Sequence, residues 1–186
     1  MENSTTPNPD QLSGQAMHLY QDEEFDQAAS LFEQAAQAYQ QAGNALKYAE
    51  EKNNQSVALL RAGNPGGAYL ASRGTEEVFA RANDPIRQAK ALGNQAAALE
   101  AQKKLSEAIS LYSQAADILK SNNEPDLASL LLKSVSSIRM RQGKMLESLM
   151  MMRQALSLKS HLTLREKLIK SLSDFAFKLL NRPPLT

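Results

Sequence analysis

Four stretches of this 186-residue chain repeat one another at an interval of forty residues, without a gap. The segment QAMHLYQDEEFDQAASLFEQAA (15–36) aligns with QAAALEAQKKLSEAISLYSQAA (95–116), and two further copies begin near Gln55 and Val135. Three columns carry only small residues: Ala16, Ser56, Ala96 and Ser136; Ala28, Ala68, Ala108 and Ser148; Ala35, Thr75, Ala115 and Ala155. Bulky columns lie between them, Leu19, Leu59 and Leu99 (with Arg139 the exception), then Phe32, Tyr112 and Met152, with Ser72 breaking the pattern. A period of this length marks a repeat array, in which each unit buries its apolar face only against its neighbours. Small residues let helix axes approach closely, and large ones fill the space beside them.

Each forty-residue unit holds two helical stretches and no run that alternates with period two. Asp22-Glu23-Glu24, Gly63-Asn64-Pro65, Lys103-Lys104 and Gly143-Lys144 separate the two helices of a unit. Gly43-Asn44, Asn83-Asp84-Pro85 and Asn122-Asn123-Glu124-Pro125 separate successive units. Gly or Asn closes a helix through a left-handed backbone, and Asp or Asn before Pro opens the next. The expected fold is all-α: a right-handed superhelical α-solenoid of about four helix-turn-helix repeats (9–44, 45–84, 85–124 and 125–162). A capping helix at 163–180 follows, within a single domain 9–182 behind a disordered tail 1–8. Copy two is degenerate, with Pro65, Gly66, Gly67, Ser72 and Gly74 in its second helix. That helix is expected to be the weakest, since each interior Gly costs ~1 kcal/mol against Ala.

Composition removes several classes of function. There is no Cys, which excludes thiol chemistry and zinc–thiolate or iron–sulfur sites, and only two His, His18 and His161. No apolar run approaches the ~20 residues of a membrane helix, and the polar opening MENSTTPNPD has no signal-peptide order. GNPGG (63–67) lacks the Lys-Ser/Thr of a phosphate loop and follows a helix. The chain is therefore expected to be non-enzymatic, without metal or cofactor, and cytoplasmic. Residues 1–126 hold 17 acidic and 10 basic side chains, whereas residues 127–186 hold 3 and 11. Such asymmetry bears on partners rather than on fold.

The columns resemble the tetratricopeptide repeat, most clearly in copy three, through Leu92, Ala96, Leu99, Leu105, Ala108, Tyr112 and Ala115. The forty-residue period and the junction ANDPIRQAKALGNQAA (82–97) are similar to the long-repeat branch of cell-polarity adaptors and kinesin light chains. A second resemblance, to the vesicle-fusion adaptor family, rests on AASLFEQAAQAYQQAG (28–43) and ranks behind it.

The tetratricopeptide resemblance implies a scaffold whose first helices line a concave groove that grips a peptide segment of a partner protein. The positions it assigns to peptide binding are Asn53, Asn54 and Arg61 in copy two, and Lys90, Asn94 and Lys104 in copy three. Copy four adds Lys133, Met140, Arg141 and Lys144. Asn54 and Asn94 occupy one rung, and an Asn amide can both donate to and accept from a peptide main chain. The basic residues favour an acidic ligand. The five-residue carboxylate clamp of the chaperone-tail branch matches only at Asn54 and Lys90, with Ser13, Met17 and Asn94 in its other places.

The charge division suggests an alternative, self-association of the acidic N-terminal end with the basic last helix (Arg165, Lys167, Lys170, Lys178). That helix also carries the apolar stripe Leu164, Leu168, Leu172, Phe175 and Leu179. A nucleic-acid role ranks lower, because the basic third lacks clustered aromatics and the acidic part repels phosphate. Met145 and Met152 fall on core columns and are expected to fill gaps in the packing.

Overall fold

The computed structural model describes residues 8–180. They form ten helices: α1 (Pro9–Gln21), α2 (Phe25–Gln41), α3 (Ala45–Arg61), α4 (Pro65–Ser72), α5 (Thr75–Arg81), α6 (Pro85–Ala101), α7 (Leu105–Ser121), α8 (Pro125–Arg141), α9 (Met145–Leu158) and α10 (Leu164–Leu180). No strand occurs among the described residues, and the architecture is of the all-α, helical-repeat solenoid class. None of the described helices is long and apolar enough to cross a membrane. Residues 1–7 of the expected tail and 181–182 of the expected domain lie outside the described residues.

The repeat is written into the turns. Seven connections of three residues carry a left-handed residue at their centre: Glu23, Gly43, Gly63, Asn83, Lys103, Asn123 and Gly143, each twenty residues after the last. Each closes the preceding helix in the same way. Glu24 N–H donates to Leu19 O and Glu23 N–H to Tyr20 O, and the pair recurs at Asn44 and Gly43, and at Lys104 and Lys103. This is the double bond of a Schellman cap, which satisfies two carbonyls that a helix end leaves open. Asn44, Asn64 and Asp84 then accept from the N–H three residues on and open the next helix. Pro9, Pro65, Pro85 and Pro125 stand at first helical positions, where a missing N–H costs nothing.

All twelve residues of the small columns are buried, none more than 4% exposed. Ala16, Ala28, Ala29, Phe32 and Ala58 form one apolar cluster in which small residues of α1, α2 and α3 meet around a ring.

The second helix of copy two is broken in two. α4 ends at Ser72, Arg73 is extended, and Gly74 adopts φ +84° before α5 begins at Thr75. Thr75 Oγ1 donates to Ser72 O at 2.6 Å across the break. The expectation about Met145 is overturned: it is the first residue of α9 and 63% exposed, and Met152 is only half-buried.

The described residues divide into two compact units, 8–111 and 112–180. In the first, α1 packs on α2, α2 on α3, and α3 on α4, α5 and α6, with α4 and α5 also on α6. In the second, α8 packs on α9 and α9 on α10. Thr163 and Glu166 start α10 with a reciprocal capping box: Glu166 N–H donates to Thr163 Oγ1 and Thr163 N–H to Glu166 Oε2.

Candidate functional site

In the first unit, α3, α5 and α6 enclose a cleft of about 300 Å³ lined by Glu50, Asn53, Asn54, Val57, Phe79, Arg87, Lys90 and Asn94. Four residues singled out in the sequence, Asn53, Asn54, Lys90 and Asn94, therefore share one site. Helical spacing explains it: Glu50, Asn53, Asn54 and Val57 follow at three- and four-residue steps along one face of α3, as Arg87, Lys90 and Asn94 do on α6.

Asn53 is held from three sides. Its Nδ2 donates to Ala49 O at 2.9 Å and Thr75 Oγ1 at 2.8 Å, and its Oδ1 accepts from Asn94 Nδ2 at 3.1 Å. Asn53 thus ties α3 to α5 and α6, and its amide is used up within the fold. Asn94 Oδ1 accepts nothing from the described residues, and Asn54 makes one long bond, from Nδ2 to Glu51 Oε2 at 3.4 Å. These two amides keep the capacity for a ligand main chain.

The charges at the rim divide into a tied set and an untied one. Arg87 Nε donates to Asp84 Oδ2 at 2.6 Å, its guanidinium lies 3.7 Å from Glu50, and its Cζ stands 5.4 Å from the centre of the Phe79 ring. The backbone N–H and guanidinium of Arg87 hold the Asp84 carboxyl below the usual carboxylate range. Lys90 is exposed and has no ion-pair partner among the described residues. Behind the cleft sits Glu51, 2% exposed, which accepts from Ser13 Oγ at 2.9 Å and makes no ion pair among the described residues. Burial pushes the Glu51 carboxyl above its ordinary range.

The remaining expected residues lie elsewhere. Arg61, at the end of α3, stands 4.7 Å over the Phe25 ring. Lys104 is exposed in the turn before α7. In the second unit, Lys133 Nζ donates to Glu166 Oε1 at 2.7 Å, so its charge is committed within the fold. Met140 and Arg141 are exposed at the end of α8, and Lys144 lies 3.7 Å from Glu147 in the next turn. Sequence reasoning missed Glu50, Phe79 and Arg87. The spacing of Glu50 from Asn53 and Asn54 was a usable signal. Phe79 reaches the cleft on a helix restarted by Gly74, which no column of the repeat foretells.

A family model described as soluble NSF attachment protein, SNAP, matches residues 9–165, which takes in all four repeats. The chain belongs to this family. SNAP proteins are non-enzymatic, adaptor-type helical proteins that bind protein partners, with repeats of the tetratricopeptide kind. Of the two resemblances in the sequence, the family is the one ranked second, through residues 28–43, rather than the long-repeat adaptor branch. No individual curated protein matches the chain.

Proposed function

We propose that this SNAP-family chain is an adaptor whose α3–α5–α6 cleft holds an acidic peptide segment of a partner protein. The observation that carries the reading is Lys90, exposed at the rim without an ion-pair partner, beside the underused amides of Asn54 and Asn94. The amides would grip the peptide main chain, Lys90 would meet a carboxylate, and Val57 offers an apolar floor for one side chain. Single exposed ion pairs contribute only ~0–1 kcal/mol, so useful affinity requires the amides and the floor together.

The family name describes attachment to NSF, which makes NSF the first partner to try. Anisotropy of a labelled Glu/Asp-rich peptide, and pull-down of purified NSF, are measured for the wild type, Lys90→Glu and Asn94→Ala. Lys90→Glu is expected to weaken peptide binding about tenfold, equivalent to ~1.4 kcal/mol, and to flatten its salt dependence. Equal binding by wild type and Lys90→Glu would overturn the acidic-peptide reading. Lys133→Glu is a poor probe, because it also breaks the bond to Glu166 that joins α8 to α10.

A further inference from the structure

The helix α10 exposes an apolar stripe: Leu164 is 85%, Leu168 61%, Leu172 60% and Phe175 65% exposed. These positions fall on one face of a helix. The forty-residue register states what that face is for. Leu172 stands where Leu12, Leu92 and Leu132 stand in earlier first helices (copy two has Lys52 there), and those three leucines are 8%, 3% and 3% exposed. Phe175 corresponds to Val135 and Leu168 to Ala128, which are buried as well. In the second unit α8 is covered by the helix that follows it, α9. By register α10 is also a first helix, yet no helix follows it among the described residues. Its stripe has the register of a seat for an antiparallel hairpin partner and is exposed.

We propose that the seat is filled by α10 of a second copy, the two helices packing antiparallel about a two-fold axis so that each serves as the other's second helix. Antiparallel packing keeps the sense of a hairpin, and a two-fold axis lets one surface complement itself. In the register that sets Leu168 against the partner's Leu172, Lys167 faces the partner's Asp174, and the symmetry makes this contact twice. Lys167 is exposed without an ion-pair partner among the described residues. Asp174 accepts from Arg153 Nε at 2.5 Å and still has a side chain 38% exposed, with room for a second cation. A stripe of four large apolar side chains is comparable with the ~300–600 Å² patches that mark interaction sites on monomers. Two such stripes face to face bury roughly 600–1,200 Å², the range of small, reversible interfaces. A reversible dimer is the consequence. Head-to-tail contact with the N-terminal end would rest on charge alone, through the exposed Asp22, Glu23, Glu24 and Asp26, since α1 exposes Gln11, Gln15, His18 and Gln21 instead of an apolar stripe.

Sedimentation and light scattering of the full 186-residue chain from a few micromolar to several hundred micromolar test this. The mass is expected to rise from 20.4 kDa to twice that and stop. Leu168→Lys with Leu172→Lys, both on the exposed face, should weaken the dimer at least ~100-fold with unchanged helical circular dichroism. Lys167→Asp alone should also weaken it, and adding Asp174→Lys should restore it, because the pair is then reversed in both copies. A wild type monomeric throughout, or a dimer indifferent to the leucine replacements, overturns the proposal. So does salt-sensitive growth beyond the dimer, which would signal head-to-tail association, or a monomer that instead co-sediments with anionic vesicles. The readout is independent of peptide binding in the first unit.

Discussion

Asn94 donates from Nδ2 to Oδ1 of Asn53 at 3.1 Å, joining first helices of neighbouring repeats across 41 positions of sequence. Because Asn53 also donates to Ala49 O and Thr75 Oγ1, it fixes the floor of the cleft, whereas Asn94 closes only one of these bonds.

Removing the two amides is therefore expected to have unequal effects. Asn53→Ala leaves several partly buried partners unsatisfied and should destabilise the fold by ~1–3 kcal/mol. Asn94→Ala should cost ~0.5–1.5 kcal/mol. Urea unfolding of the two variants, followed by circular dichroism, gives the comparison; equal losses would contradict the central place of Asn53.

The adjacent glycines of α4 should respond unequally. A Cβ on Gly66 meets nothing closer than Asn64 Oδ1 at 3.9 Å, so Gly66→Ala is expected to stabilise by ~0.5–1 kcal/mol through helix propensity. A Cβ on Gly67 would lie 2.8 Å from Asn64 Nδ2, in the side chain that caps the helix by accepting from Gly67 N–H. Gly67→Ala should lose that cap, at ~1 kcal/mol, which offsets its own propensity gain, so its thermal midpoint should lie below that of Gly66→Ala.

Glu51 should make the fold less stable as the solution becomes less acid. Its folded pKa lies above the unfolded one, so the native state binds more protons through that window and stability falls as pH rises from the ordinary carboxylate value toward the raised one. Glu51→Gln removes this burden and can still accept from Ser13. The variant should unfold at higher urea than the wild type at pH 7 to 8, with the advantage gone at pH 4. An advantage independent of pH would show that ionisation is not its source.

Glu166 should show the reverse. Hydrogen bonds from Lys133 and Lys159, and from Thr163 N–H, hold its carboxyl far below the usual range. A depressed folded pKa gives stability that is complete above the unfolded value and drains away as pH falls toward the folded one. Glu166→Gln is expected to lower the thermal midpoint at pH 7 and to matter progressively less below about pH 4. A gap between the two proteins that stays constant into acid would count against the network.

Much of this was readable from the amino acids, for a physical reason. Small residues at Ala28, Ala68 and Ala108 and turn residues at Gly43, Gly63 and Asn83 are local requirements, and they repeat because the packing does. Asn54 and Asn94, equivalent in the repeat, line one cleft, while the contact between the helices runs from Asn94 to Asn53. What stayed hidden depends on distant geometry. Phe79 enters the cleft only because the backbone turns left-handed at Gly74, and Lys133 is spoken for by Glu166, 33 residues away. The exposure of Met145 reflects its place at the very start of α9, where column membership does not guarantee cover.

Seven connections of one length and one hand make the chain divisible. A cut at Glu23 and another at Gly63, or at Lys103 and Gly143, would remove one whole hairpin's worth of chain and rejoin ends of matching backbone shape. Growth and shrinkage by entire modules, through unequal copying of the gene, thus demand no newly evolved corner.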